Sequence, residues 1–254
     1  MQTGAITGYI DVAQLALYTF WLFFAGLVLY LRKEDKREGY PLVTDRAGQF
    51  QQGFPTMPAP KTFLLRDGST VLAPRAEPPQ PSFQAQPVAP WPGAPMQPLG
   101  NAMLSGSGPA AFALRSDAPE TMQESSDNRV VPLRVATDHY LDDESPNPVG
   151  NEAVGADGVV GGVVSDLWID RAETAIRYLE VTLAAGPSVL VPMPLARIDA
   201  TGRVFVKSVL GAQFADAPTL ANPDQVTLRE EDQIQAYFAS GHLFATPDRA
   251  EPLL

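Results

Sequence analysis

Residues 12–31, VAQLALYTFWLFFAGLVLYL, are twenty consecutive positions without a charged side chain, and RKEDKR follows them at once. At about 1.5 Å of rise per residue such a helix reaches roughly 30 Å, the thickness of a bilayer's hydrocarbon core. The run predicts one transmembrane helix and confines the rest of the chain to a membrane face. Residues 1–11 hold no Lys or Arg, whereas Arg32, Lys33, Lys36 and Arg37 crowd the other end. Basic residues are retained on the cytoplasmic side, so the short N-terminus is expected outside and the main domain inside. A cleaved signal peptide would need a basic leader, a shorter apolar stretch and a small-residue cleavage site, and none of the three is present. Gln14, Tyr18, Trp21 and Ala25 recur on one helix face, a pattern that serves either headgroup anchoring or packing on another transmembrane helix.

From Arg32 onward the chain carries 28 acids against 18 bases, a net charge of −10. That excess excludes nucleic acid as a partner and leaves only the basic residues at the membrane exit to meet anionic lipid. With no cysteine, disulfides, thiolate metal sites and cysteine nucleophiles are excluded.

Residues 41–100 contain 13 of the 25 prolines. Proline lacks an amide donor and disfavours helix at the preceding residue, so this stretch is expected to run extended. Phe54, Phe63, Leu64, Leu65, Phe83 and Trp91 give it apolar groups to bury on a partner or on the following domain. A hairpin is predicted around Asp67 and Gly68, between LL and VL. From about residue 130 the pattern changes to short β-rich runs at 158–170, 175–183, 188–193, 196–200 and 203–210, separated by turns such as Ala185-Gly186-Pro187 and Thr201-Gly202. They suggest a small antiparallel barrel or curled sheet, with Leu179, Val181 and Leu183 inward and Tyr178, Glu180 and Thr182 on an open face. One late helix, about 227–240, is read from Thr227 and Glu230 at capping-box spacing, from Ile234, Tyr237 and Phe238 on one face, and from Gly241 as its terminator.

Phosphate-cradling glycine loops, dinucleotide fingerprints and HExxH are all absent, and His139 and His242 lie about a hundred residues apart, away from any nucleophile motif. What remains is an acid-rich centre. Between Asp138 and Glu180 stand ten carboxylates with only Arg171 and Arg177 as bases. Such crowding is expected to raise carboxyl pKa values and to let the groups exchange protons near neutral pH. The turn Asp170-Arg171-Ala172-Glu173 brings Asp170 and Glu173 together and is expected to set both beside the returning Arg177.

Several segments then occur in a specific order: Leu15, Tyr18 and Trp21 in the span, Arg37-Glu38-Gly39-Tyr40-Pro41-Leu42 at its exit, Pro60-Lys61-Thr62-Phe63, Gly108-Pro109-Ala110, Asn147-Pro148, Asp166-Leu167-Trp168-Ile169-Asp170, Arg177-Tyr178-Leu179-Glu180 and Glu230-Glu231-Asp232. Over nearly its whole length the chain resembles the H subunits of purple-bacterial photosynthetic reaction centres.

The resemblance implies a periplasmic N-terminus (1–11), a transmembrane helix (12–31), a membrane-surface proline-rich segment (32–110) and a mainly β cytoplasmic domain built on a PRC-type barrel (111–254). It implies a non-enzymatic subunit of the intracytoplasmic membrane that caps the L and M subunits, stabilises the quinone region and conducts protons to the secondary quinone. Bacteriochlorophyll, bacteriopheophytin, quinone and non-haem iron would reside in those partners and none in this chain; antenna and cytochrome subunits and membrane lipids would be neighbours. The positions matching the family's proton route are Glu173, Asp170 and Glu124, with Arg177 orienting them, and Arg32, Lys33, Lys36, Arg37 and Tyr40 would face the membrane surface. A histidine pair that some members carry at the proton entrance is replaced by Ser126 and Asn128. The other reading of the same features is a membrane-tethered PRC-type adaptor that recruits a cytoplasmic partner.

Overall fold

In a computed structural model of the chain, residues 4, 6–7, 9–43, 49–75, 83–91, 93–184 and 186–250 are described. Parts of the expected N-terminal and proline-rich segments, and Ala185 of the expected turn, lie outside them. The chain divides into two compact units, Met1–Pro79 with Trp91–Gly93, and Gln80–Pro90 with Ala94–Leu254.

The first unit begins with α1 (Val12–Glu34). Asp11 caps it: the carboxylate accepts the Gln14 amide at 2.7 Å and the Gln14 side chain accepts the Asp11 amide at 3.3 Å, which satisfies two groups that the first turn leaves open. Inside the apolar run, the Thr19 hydroxyl donates to the Leu15 carbonyl at 2.8 Å and so carries no unpaired polar atom outward. No residue of α1 is buried by its own chain, and its apolar stretch, with a mean hydropathy of 1.9, makes it long and apolar enough to cross a membrane. Beyond a single 3-10 turn (Asp35–Arg37), β1 (Leu42–Val43) pairs with β2 (Phe50–Gln51) and β3 (Lys61–Leu64) with β4 (Thr70–Ala73). The second pair is the hairpin expected from sequence. Gly68 takes φ +81° at its tip, and Asp67 Oδ1 accepts the Ser69 amide at 2.9 Å.

The second unit opens with a small hairpin of β5 (Ala85–Pro87) and β6 (Met96–Pro98), and is then built on a curled sheet. Its strands are β7 (Val130–Pro132), β8 (Glu152–Gly155), β9 (Val160–Asp170), β10 (Ala175–Thr182), β11 (Ser188–Pro192), β12 (Ala196–Ile198) and β13 (Val204–Val206), in the order β11-β10-β9-β8-β13-β12 with β7 also on β9. The eleven-residue β9 organises the sheet, pairing with β10 along one side and with β8 and then β7 along the other. The curled sheet expected from sequence is antiparallel except for one ladder, β13 on β8, which is parallel. β7 and β8 escaped the sequence reading because runs of three and four residues are too short to display alternation.

Leu167, Leu179, Val181, Val191, Val204 and Val206 fill the concave side, and α2 (Leu228–Phe244) closes it with Ile234, Tyr237 and Phe238. The capping box that marked this helix is present: Glu230 N–H donates to Thr227 Oγ1 at 3.2 Å, and Thr227 N–H to Glu230 Oε2 at 2.8 Å. Two expectations are corrected here. Gly241 does not end the helix, which runs one turn further; a Cβ there would lie 2.3 Å from the Ser208 carbonyl oxygen, so the glycine serves close approach of α2 to the chain beneath. Nor does β10 leave one face open. Bulges after Ile176 and Glu180 break the alternation, and Tyr178 is buried together with Leu179.

Candidate functional site

The site grows from the end of β9. Its last residue, Asp170, is fully buried and starts the turn that leads into β10. Asp170 Oδ1 accepts the amides of Ala172 at 3.0 Å and Glu173 at 3.2 Å, the geometry by which a short acidic side chain shapes its own turn. Thr174 completes that turn at φ +51°. On the opposite side β7 pairs Val130 with Asp170, and the Arg171 amide donates to the Arg129 carbonyl at 2.9 Å. This register delivers the Arg129 side chain to the turn.

One guanidinium then serves three carboxylates. Arg129 Nε donates to Asp170 Oδ1 at 2.8 Å, and Nη2 lies 2.8 Å from Asp170 Oδ2. Nη2 also donates to Glu173 Oε1 at 2.8 Å, and Nη1 to Glu120 Oε1 at 3.2 Å. The Nε contact is a hydrogen bond, whereas Oδ2, buried beside Nη2, is held by charge alone and accepts no hydrogen bond from a described residue. Burial works to raise the Asp170 carboxyl, but Arg129 and the two turn amides outweigh it and hold the group below the usual aspartate range. The bond to Asp170 in turn raises the Arg129 guanidinium. Exposure separates the two acids, since the Asp170 side chain is 1 % accessible and that of Glu173 59 %.

Glu124 stands on the loop just before Arg129. A bridge between Thr121 and Asn128 closes that loop, Arg129 N–H donates to the Glu120 carbonyl at its foot, and Glu124 is exposed at its tip. Arg177 is not at the turn. Its nearest carboxylate is Glu231 on α2 at 3.8 Å, and Arg129 fills the place expected for it. Glu231 is itself buried and accepts the Tyr178 hydroxyl at 2.6 Å. Burial and the adjacent Glu231 carboxylate push the Tyr178 phenol up, so it remains a donor.

Three other acids of the window, Asp166, Glu180 and Glu152, also meet cations from outside it. Arg134 holds Asp166 at 2.9 Å, Glu180 at 2.7 Å and Asp224 at 3.0 Å, and the buried Trp168 indole donates to Glu180 at 2.9 Å. Glu152 pairs with Arg203 at 2.9 Å, and Asp157 accepts the Gly211 amide at 3.0 Å. The expected upward pKa shift is therefore not found at Asp138, Asp157 or Asp170, all of which are lowered. The main cause is the His139 contact at Asp138, the Gly211 amide at Asp157, and Arg129 with the turn amides, against burial, at Asp170.

At the end of α1 the basic residues divide. Arg32 and Lys33 are exposed and pair with no described residue. Lys36 is buried at 2 % accessibility, donates to the Gln52 and Pro55 carbonyls and lies 5.4 Å from the centre of the Tyr40 ring. Arg37 binds Glu34 at 2.8 Å and the carbonyls of Ala59 and Ala73 at 2.7 and 2.8 Å. These two cations hold the extended segment to the helix end. Among the described residues no three His, Cys, Asp or Glu are grouped so as to hold a metal ion.

Compared with known protein families, residues 4–135 match the photosynthetic reaction centre H-chain N-terminal region. The chain belongs to the reaction-centre H-chain family. Residues 142–212 match the PRC-barrel domain, in agreement with the curled sheet. The protein is thus a subunit of a photosynthetic reaction centre, of a family that is in general structural and non-catalytic, with one apolar helix that fits a single-pass membrane protein. It assembles with the other subunits of that complex. Within the H chain the two matched regions meet at the site: Glu120 and Arg129 belong to the first, Asp170 and Glu173 to the second. Sequence reading found the acids but missed Arg129 and Arg134, which lie outside the acidic run and reach it only through strand pairing.

Proposed function

We propose that this H chain caps the cytoplasmic face of the L and M subunits and conducts protons from cytoplasmic water toward the secondary quinone, with Glu173 as the main exchanging group. The pigments, the quinones and the non-haem iron belong to those partners. A quinone that takes two electrons also takes two protons to become the quinol, and protons do not cross hydrocarbon unaided. The observation that carries this reading is Glu173: a carboxylate more than half in water, yet joined through Arg129 to the buried Asp170. A group in that position is reached by water and is held in place by a fixed cation, which is what a proton-exchanging group requires. Glu124, exposed on the loop that leads to Arg129, is the outer acid of the same route.

The orientation follows from the charge asymmetry around α1, with residues 1–11 in the periplasm and the barrel domain in the cytoplasm, on the intracytoplasmic membrane. Arg32 and Lys33, exposed at the helix end, face the headgroups.

Adding the full chain back to reaction centres stripped of their H subunit tests the proposal. Expected is recovery of proton uptake after the second of two flashes, read with a pH-sensitive dye on the side that carries the barrel. Uptake that is equally fast without the chain contradicts it.

A further inference from the structure

We infer that Asp170 is a fixed anion and passes no protons: it anchors Arg129, and Arg129 is the positioning residue that sets Glu173 at the exposed rim of the site. This rests on the proton-conducting reading and assigns the parts within it. A carrier has to bind and release a proton, and water has to reach it. Asp170 meets neither condition. Its Oδ1 already accepts three donors, Arg129 Nε at 2.8 Å and the amides of Ala172 and Glu173 at 3.0 and 3.2 Å. Its Oδ2 accepts no hydrogen bond from a described residue but lies 2.8 Å from the Arg129 Nη2 cation, and the side chain is 1 % accessible. Protonation would place a hydrogen against the guanidinium or against the turn amides, and no solvent lies beside it to take the proton away.

Glu173 is arranged the other way. Arg129 holds its Oε1 at 2.8 Å, its Oε2 accepts nothing from any described residue, and 59 % of the side chain is in water. The same guanidinium reaches Glu120 at 3.2 Å. Removing Asp170 therefore disturbs the relay only by loosening Arg129. The lowered proton affinity of Asp170 is consistent with this division.

The test is infrared difference spectroscopy of quinone reduction in the assembled reaction centre, recorded in H2O and D2O, for the wild type and for Glu173→Gln, Asp170→Asn, Arg129→Gln and Arg129→Lys. Expected is a protonated-carboxyl band that disappears in Glu173→Gln and persists, displaced, in Asp170→Asn. Arg129→Gln slows second-flash proton uptake roughly tenfold, and Arg129→Lys, which keeps the charge, recovers most of the rate. If Asp170→Asn removes a band that Glu173→Gln leaves, while Glu173→Gln still slows uptake, the inference fails and the proton-conducting reading stands. If Glu173→Gln alters neither band nor rate, both fail. An Arg129→Gln complex of unchanged rate overturns the positioning role.

Discussion

Arg129 Nε donates to Asp170 Oδ1 at 2.8 Å although the two residues are 41 positions apart, and the bond ties the loop carrying Glu124 to the end of β9. Asp170→Ala leaves a guanidinium facing an empty site. It is expected to destabilise the barrel domain by about 2–3 kcal/mol, below the full range for a buried pair, because 22 % of the Arg129 side chain remains in water. Since the folded-state pKa of Asp170 is lowered, its contribution is complete above the ordinary aspartate value of about 4 and is lost as pH falls through the lower folded value. Thermal melts of the wild type and Asp170→Ala between pH 3 and 7 check both statements: the gap is constant above pH ~5 and closes only in acid.

Gly241→Ala tests the contact between α2 and the chain below it. The added methyl would sit 2.3 Å from the Ser208 oxygen, so the helix has to move despite alanine's better helix propensity. A loss of about 1–3 kcal/mol is expected in denaturant unfolding. Gly26→Ala, in α1 with nothing within 4 Å, is expected to cost nothing.

Lys36 and Lys33 separate two uses of a cation at the membrane exit. Lys36→Met leaves the Gln52 and Pro55 carbonyls without their donor, and amide hydrogen exchange in residues 50–55 is expected to rise by one to two orders of magnitude, for about 1–3 kcal/mol lost. Lys33→Ala leaves that exchange unchanged. It is expected to weaken binding of anionic over zwitterionic lipid in nanodiscs by about 1 kcal/mol.

Tyr178→Phe removes the hydroxyl from a buried carboxylate. Glu231 then retains Arg177 at 3.8 Å, a long and partly solvated contact. A loss of about 1–3 kcal/mol is expected, and a melting temperature lower by several degrees.

The parts of the fold that were legible in sequence are those set by local chemistry. The charge-free run of α1, the hairpin turn at Asp67 and Gly68, and the Thr227 and Glu230 cap of α2 each declare themselves within a few residues. What escaped was decided by chain segments meeting at a distance. Counting charges between positions 138 and 180 gave an excess of acid and hence raised pKa values, but pairing of β7 with β9 brings in Arg129, and the chain after β7 brings in Arg134, and both invert the local balance. Arg177 looked like the partner of Asp170 because a hairpin returns it there; the bulge after Ile176 and the presence of Glu231 on α2 turn it elsewhere. Gly241 read as a helix stop because nothing local reveals the Ser208 carbonyl that crosses it. The turn sequence already gave Asp170 and Glu173 as a pair and the resemblance gave both the same role, whereas the structure separates them into one buried and one exposed group.

The central claim is that protons bound for the secondary quinone pass over Glu173, and replacing that residue by Gln in the assembled reaction centre tests it most directly. Gln keeps the size and a hydrogen-bonding oxygen for Arg129 but does not bind and release a proton in the working range. The account predicts that the second proton-coupled electron transfer, timed after successive flashes at pH 7–8, slows by about tenfold or more while the first electron transfer slows far less. An unchanged rate for the second transfer, in a complex whose barrel domain is intact, contradicts it.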